Sequence, residues 1–206
     1  MQVTELDEQI IQDIGHAFGY YDYGTEQGLS SVFRSQAATA AYIRGYVRMG
    51  LRCGCLYTTS SRGEGYIIYK LPHQKLPLRA GVELLKGLCQ SMNLKEMVTF
   101  LRIAFRSATT GPSLKNQLDK QKKDYIYVGM VCVREKYQGQ GYMRKVMDIA
   151  FAEGNRLGVP VILDTDAKSK CDKYLHLGMQ LTGTHPFGQH GTIYDLVKYP
   201  DEAYRS

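Results

Sequence analysis

Two closely spaced glycines separate an apolar stretch from a long amphipathic one. The turn between them reads Gln138-Gly139-Gln140-Gly141. Glycine lets a backbone approach a ligand closely, and the first N–H groups of a helix, with its positive dipole end, attract an anion. The segment that ends at Met143 therefore predicts a binding site for phosphate.

Several basic residues lie close to this turn or to the end of the next strand. Their charges could raise the local potential and attract an anionic ligand. For each one, a solvated basic face is the alternative interpretation. These residues are Arg134, Lys136, Arg144, Lys145, Lys168 and Lys170.

The elements on either side of the turn follow from its flanking patterns. Residues 125–133 are rich in β-branched and aromatic side chains without strict alternation, which predicts a central strand covered on both faces. The helix beyond Gly141 is predicted from apolar residues at helical spacing. Gly158 and Pro160 provide its stop signal. The apolar positions are Met143, Val146, Met147, Ala150, Gly154 and Leu157.

The rest of the chain alternates helical and strand patterns. Helices are predicted over residues 6–18, capped by Thr4, and over residues 28–49, ended by Gly50. Further helices are predicted over 80–92, 94–109 and 169–177, strands over 53–59, 65–71, 159–164, 180–187 and 192–199, and a polar connection with some helix over 110–123. The order predicts an α/β or α+β fold with a mixed sheet, and not a doubly wound one.

Composition limits the class of protein. The 206 residues are 44% hydrophobic and 22% charged, which predicts one soluble domain over residues 1–206. No apolar run approaches the roughly 18 residues of a membrane span, so we expect a cytoplasmic protein. Five cysteines without a CxxC pair favour free thiols. The net charge of +6 suits either nucleic acid or a polyanionic cofactor.

Two motifs resemble those of the GNAT-type N-acetyltransferase superfamily. Residues 138–143 read Gln-Gly-Gln-Gly-Tyr-Met and resemble the family's Gln/Arg-x-x-Gly-x-Gly/Ala, with Met143 where a small residue is usual. Residues 174–179 read Tyr-Leu-His-Leu-Gly-Met and resemble its Tyr-x-x-x-Gly-Phe. The resemblance implies a GNAT-like mixed, mostly antiparallel central sheet flanked by helices, with a central strand, glycine turn and helix at the cofactor site.

The resemblance differs in strength along the chain. It is clear over residues 124–199 and rests on the order of elements alone over residues 5–72. Residues 73–123 form an enlarged helical insertion. The run over residues 159–165 is similar to that of the puromycin-type antibiotic acetyltransferases.

The cofactor implied by the resemblance is acetyl-CoA. The motif would bind its pyrophosphate, and Met130 to Val133 would present backbone groups to the pantetheine arm. Cys132 is interpreted as a packing residue, since nothing near it in sequence lowers its thiol pKa. The implied cofactor-binding residues are Val131, Cys132, Val133, Gln138, Gly139, Gln140, Gly141, Tyr142, Met143 and Lys170.

Two residues are candidates for proton transfer. Tyr174 is the implied general acid for the departing thiolate, because a phenol with a pKa near ~10 suits that donor. Asp164, at the end of its strand, is a candidate base or amine anchor, with capping or an ion pair as the alternative. Tyr20, Tyr21 and Asp22 could line the acceptor pocket.

The function predicted from these residues is direct acetyl transfer to the amine of a small molecule. A catalytically silent acyl-CoA-binding or sensing module and a protein or peptide N-acetyltransferase are the alternatives, and a nucleic-acid-binding protein is the least favoured. We expect no membrane partner, and leave a homodimer open. We also expect no metal, since His185 and His190 lack a third ligand at metal spacing.

Overall fold

The computed structural model describes residues 1–26, 28–187 and 190–202, without the side chains of residues 103–110. Within these ranges the helices are α1 (Glu8–Gly19), α2 (Gln36–Cys53), α3 (Leu78–Ser91), α4 (Leu94–Thr110), α5 (Leu114–Lys120), α6 (Tyr142–Leu157) and α7 (Lys168–His176). The strands are β1 (Leu56–Thr58), β2 (Gly65–Lys70), β3 (Ile126–Val133), β4 (Val161–Thr165), β5 (Gln180–Pro186) and β6 (Thr192–Lys198).

The strands form one six-stranded sheet in the order β1-β2-β3-β4-β6-β5. Strands β3 and β4 pair in parallel, and the other four neighbouring pairs are antiparallel. Helix α6 packs on one face of the sheet, and α1 and α2 pack on the other. The predicted mixed, mostly antiparallel sheet flanked by helices is therefore confirmed. Among the described residues, no helix is long and apolar enough to cross a membrane.

The two parallel strands stay together over only part of their length. Ile126–Val128 of β3 pairs with Val161–Leu163 of β4. Beyond this point β3 continues beside β2 as far as Val133, while β4 continues beside β6. A gap therefore opens in the middle of the sheet, between the second half of β3 and the end of β4.

Gly129 forms a bulge where this gap begins. Strand β2 pairs Tyr69 with Val128 and Ile68 with Met130, so Gly129 is the extra residue on β3. An extra residue reverses which face the following side chains occupy. Accordingly, Val128 packs with the α6 side of the core and Met130 with the α1 and α2 side. Strand β3 thus packs against helices on both faces, as the missing alternation in the sequence predicted.

Several predicted helix ends were wrong. Asp7, and not Thr4, caps α1, since its side chain accepts a hydrogen bond from the N–H of Gln9. Helix α2 begins at Gln36 and ends at Cys53, and the residue that caps it, Gly54, has a left-handed φ of 66°. Gly50 lies inside α2, where a Cβ atom would come within 2.6 Å of Ile68 Cδ1. This glycine therefore allows close contact between helix and sheet.

Helices α2 and α3 approach each other through a pair of glycines. A Cβ atom on Gly87 would lie 2.9 Å from the Cα of Gly45, whereas one on Gly81 would meet no atom within 4 Å. The two positions lie on the same helix, so helix propensity acts equally on both. They therefore provide a matched test of packing.

We expect Gly87→Ala to lower the free energy of unfolding by about 1 to 3 kcal/mol, because the added methyl group overpacks a backbone contact. Gly81→Ala should instead raise it by about 0.5 to 1 kcal/mol, since alanine restricts the unfolded chain. Urea unfolding followed by circular dichroism measures both values. Equal effects of the two substitutions would contradict the close contact between α2 and α3.

Candidate active site

A cavity of about 790 Å³ occupies the gap between β3 and β4. It extends from the glycine turn before α6 to the aromatic side chains of α1 and α2 and to the inner side of α7. Most of the predicted site residues line it. They are Tyr21, Val131, Cys132, Val133, Gln138, Gly139, Gly141, Tyr142, Met143, Asp164, Lys170 and Tyr174.

Three predicted site residues do not line the cavity. Tyr20 is 46% exposed and stacks on the ring of His16. The carboxylate of Asp22 accepts a hydrogen bond from the N–H of Gly24 at 2.7 Å, so it shapes its own loop. The side-chain amide of Gln140 donates to the carbonyl of Lys136 at 3.0 Å, which fixes the turn from outside.

The glycine turn has the geometry of an anion site. Gly139 and Gly141 have φ angles of 74° and 76°, a left-handed conformation that side chains with a Cβ rarely adopt. A Cβ atom at either position would meet nothing within 4 Å, so the turn faces open space. Within the described part of the chain no side chain caps the start of α6 at Tyr142, which leaves its first N–H groups to a ligand.

Ion pairs occupy half of the basic residues predicted to attract an anion. Arg134 pairs with Asp13 at 2.7 Å, and Lys168 pairs with Asp172. Lys170 pairs with Asp166, as described below. The guanidinium of Arg144 donates to the carbonyl of His176 at 3.2 Å. Lys136 and Lys145 instead lie over the rings of Tyr137 and Tyr142, at 5.1 and 4.6 Å from the ring centroids, beside the turn.

Lys170 belongs to a network that fixes the loop after α1. Its ammonium donates to Asp166 and to the hydroxyl of Tyr23, each at 2.8 Å. The same carboxylate accepts from Tyr23 and from the N–H of Leu29. Burial alone would raise the pKa of Asp166, but the Lys170 ammonium and these hydrogen bonds hold that pKa below its usual range. Lys170 thus lines the cavity with its charge already neutralised.

Asp164 lies at the mouth of the gap between the strands. The hydroxyl of Tyr127 donates to its carboxylate at 2.6 Å. The side chain is open to the cavity and not packed in the core. Nevertheless, the surrounding protein removes much of the water around the carboxyl, and this desolvation raises the pKa of Asp164, partly offset by the hydrogen bond from Tyr127. A carboxylate with a raised pKa is a suitable proton acceptor.

Tyr174 projects from α7 into the same cavity. Among the residues that the structure describes, nothing accepts a hydrogen bond from its hydroxyl. Burial, followed by the nearby charge of Asp166, raises the pKa of Tyr174 above its usual value. The phenol therefore keeps its proton at neutral pH and is available to donate it to a group bound in the cavity.

Cys132 lines the cavity but has little capacity as a nucleophile. Its side chain belongs to the core cluster on the α1 and α2 side. Burial raises the pKa of the Cys132 thiol to about 12, although the charge of Arg134 acts in the opposite direction. The thiol is thus protonated at neutral pH, in agreement with a packing role.

The structure adds an aromatic wall that the sequence did not identify as part of the site. Four rings of this wall, from helices α1 and α2 and the segment after β5, are those of Phe18, Tyr42, Tyr46 and Phe187. The helical pattern over residues 28–49 predicted an apolar face. It did not show that Tyr42 and Tyr46 point into the cavity. Residues 188–189, between the predicted strands over 180–187 and 192–199, lie outside the described residues.

Tyr46 reaches the point where the strands separate. A Cβ atom at position 129 would lie 2.3 Å from the Tyr46 hydroxyl oxygen, so a glycine on β3 makes room for this phenol. The cavity also contains Asp166 and Lys173, which the sequence did not assign to the site. Among the described residues, no three His, Cys, Asp or Glu side chains form a group that could hold a metal ion.

No protein-family model matches the chain, and a search of curated proteins found no similar sequence. Solved structures do share its fold. A histone acetyltransferase HPA2 and related acetyltransferase from Corynebacterium glutamicum has a TM-score of 0.61 at 15% identity, over 98% of this chain and 95% of that chain. Arylalkylamine N-acetyltransferase 2 from Aedes aegypti has a TM-score of 0.56 at 10% identity, over 95% and 97% of the two chains.

A mutant agmatine N-acetyltransferase in its apo form has a TM-score of 0.54 at 13% identity, over 94% of this chain and 96% of that chain. At these identities the likeness concerns the fold, and it confirms the acetyltransferase fold that the two motifs predicted. The narrower resemblance to puromycin-type enzymes receives no support from these structures.

Proposed function

We propose that the protein is an acetyl-CoA-dependent N-acetyltransferase that acts on the amine of a small molecule by direct transfer. One observation carries this proposal. A single cavity joins an anion-binding turn, an opened pair of parallel strands and two groups suited to proton transfer, Asp164 and Tyr174. These features match the polyanionic, extended and reactive parts of acetyl-CoA in that order.

The cavity fits acetyl-CoA in its chemistry. The N–H groups around Gly139, Gly141 and Tyr142 would hold the pyrophosphate, with Lys136 and Lys145 beside them. Residues 129–133 of β3 have no partner strand on the β4 side and would offer backbone groups to the pantetheine arm. The acetyltransferase fold of the solved neighbours supports the same assignment. When bound, acetyl-CoA supplies an activated thioester.

Two side chains would transfer the protons of the reaction, Asp164 as the acceptor and Tyr174 as the donor. The amine nitrogen forms a bond to the acetyl carbon while the bond from that carbon to sulfur breaks. Asp164, directly or through water, accepts the proton that the amine loses. Tyr174 donates its phenolic proton to the departing sulfur and recovers a proton from solvent, to which Asp164 releases the proton that it accepted. The balance is one amide and one thiol, without a covalent enzyme intermediate.

The acceptor side of the cavity supports a small amine. The aromatic wall of Phe18, Tyr42, Tyr46 and Phe187 suits an apolar body, and rings of this kind also attract ammonium groups. Two of the neighbours are named for the small amines arylalkylamine and agmatine, which supports this class of acceptor. A cytoplasmic location is part of the proposal, and a homodimer stays a prediction, as does a single domain over residues 1–206.

A panel of amines tests the function. The purified protein is incubated with acetyl-CoA and each amine, and the release of thiol is followed with a thiol-reactive dye. Small monoamines should give turnover above the rate of acetyl-CoA hydrolysis. Binding of acetyl-CoA without turnover on any amine or peptide would favour the silent binding module. Turnover on peptide amino termini alone would favour the peptide acetyltransferase.

We expect acetyl-CoA to stabilise the protein by about 2.7 kcal/mol at one hundred times its dissociation constant, through mass action. Gly141→Ala should weaken binding about tenfold, because a left-handed alanine costs about 1 to 2 kcal/mol and the turn relaxes away from the phosphate. Thermal unfolding and calorimetric titration measure both effects. Gly183→Ala, where a Cβ atom meets nothing within 4 Å, is the control. Unchanged binding in Gly141→Ala would contradict the phosphate site.

A further inference from the structure

The side chains of His185 and Asp195 lie next to each other, nearly buried, and the proposed reaction makes no use of them. The Nε2 atom of His185 lies 3.6 Å from the Oδ2 atom of Asp195, and their side chains are 13% and 7% exposed. That nitrogen has no hydrogen-bond partner among the described residues. The separation suits the attraction of opposite charges and not a hydrogen bond, so the contact is favourable when the imidazole is protonated.

The sheet connects this pair to Asp164. Asp195 on β6 lies directly opposite Asp164 on β4, and directly opposite residues of an antiparallel pair project on the same face. His185 on β5 is opposite Ile193, two residues before Asp195, and thus shares that face. Ile193 itself lines the cavity. His185, Asp195 and Asp164 therefore form a row across three strands that ends at the reaction site.

Each charge in this row shifts the pKa of the neighbouring carboxyl groups in a definite direction. Two neighbouring carboxylates with little water resist being ionised together. Burial raises the pKa of Asp195, and the charge of His185 opposes that rise. The charge of His185 likewise opposes the rise in the pKa of Asp164. The other titratable groups that act on Asp164 or are affected by it are Tyr46 on α2, Tyr127 on β3, Asp166 just after β4 and Tyr174 on α7.

We propose that His185, held in place by Asp195, favours the ionised form of the Asp164 carboxyl group through the positive charge of its protonated imidazole. His185 is thus a positioning residue that acts through Asp164 and touches neither substrate. The consequence for catalysis rests on the proposed function, since it needs Asp164 to accept the proton of the amine. The electrostatic statement itself concerns the protein alone and can be measured without turnover.

Carboxyl NMR gives the direct test. In protein labelled with ¹³C-aspartate, the carboxyl signal of Asp164 is assigned by its loss in Asp164→Asn, and its midpoint of titration is measured. His185→Gln should move this midpoint upward by about one pH unit, because an opposite charge is removed. His185→Lys, which retains the charge, should stay close to the unmodified protein.

The control is Asp148→Asn, which removes an exposed carboxylate on the outer side of α6 and should leave the midpoint unchanged. Circular dichroism establishes that each variant is folded. The acidic limb of the rate profile should move in the same directions as the midpoint. An unmoved midpoint in His185→Gln, or an equal upward shift in His185→Gln and His185→Lys, would overturn the proposal. Absence of acetylation on any amine would instead overturn the proposed function and leave the NMR result intact.

Discussion

Replacement of Tyr174 by phenylalanine should lower the rate constant for acetyl transfer by about one hundredfold to ten-thousandfold, the range typical of a lost general acid. The phenylalanine ring would occupy the same space at this position of α7, so the cavity should keep its shape. The departing thiolate would have to take its proton from water. Because Tyr174 has no hydrogen-bond partner among the described residues, its removal leaves no buried polar atom unpaired.

Steady-state kinetics with varied acetyl-CoA would separate the roles of this phenol. We expect kcat to fall while the dissociation constant of acetyl-CoA, measured by calorimetry, changes by less than about threefold. Tyr199→Phe is a suitable control, because Tyr199 is 49% exposed and does not line the cavity. An unchanged kcat in Tyr174→Phe would remove this residue from the mechanism. A large loss of acetyl-CoA affinity with normal kcat would make it a binding residue.

Local patterns in the sequence identified the turn and the helix that follows it. Gly139 and Gly141 predicted a turn at which the backbone could approach a ligand, and the structure has both residues with positive φ in a turn before α6. The apolar positions after Gly141 predicted α6, and Gly158 ends it with a φ of 67°. These features depend on neighbours within a few residues, which is why periodicity and glycine placement were sufficient to find them.

The role of a glycine could not be predicted where its missing side chain makes room for a distant segment. Gly50 was expected to end a helix, yet it lies inside α2 against Ile68 of the sheet. Gly129 makes room for Tyr46 and forms the bulge that opens the sheet. A sequence pattern shows that a side chain is missing, but the atom that occupies its space belongs to a segment far away along the chain.

The protonation of the site residues likewise depends on the groups that lie beside them in the folded chain. Lys170 was expected to bind the anionic cofactor, but Asp166, four residues earlier on the chain, neutralises it, and the distant Tyr23 holds it. Asp164 and Asp195 are thirty-one positions apart and become neighbours only through the pairing of β4 with β6. The sequence therefore identified single candidate residues. Their protonation depends on the strand register between β4 and β6, which the sequence did not reveal.

Asp164→Asn should lower kcat by about one hundredfold to ten-thousandfold if this carboxylate is the base that accepts the amine proton. It should also remove the acidic limb of the rate profile. Desolvation raises the pKa of Asp164 above its usual range, so the carboxylate is lost as the pH falls through that raised value. Activity in the unmodified protein should decline on the acidic side for this reason. Asparagine does not titrate, and the variant should lack that decline.

The substrate amine also titrates, and two amines of different pKa separate its contribution. A limb that belongs to Asp164 keeps its position with both amines, whereas a limb that belongs to the substrate moves with the amine. If Asp164 instead anchors the ammonium group, Asp164→Asn should raise the KM of the amine and leave kcat nearly unchanged. Asp148→Asn serves again as the control for loss of one negative charge. Normal kcat, KM and pH dependence in Asp164→Asn would exclude both roles. The amine proton would then have to leave through water held by other groups of the cavity. One such group is the hydroxyl of Tyr46, which lies where β3 and β4 separate.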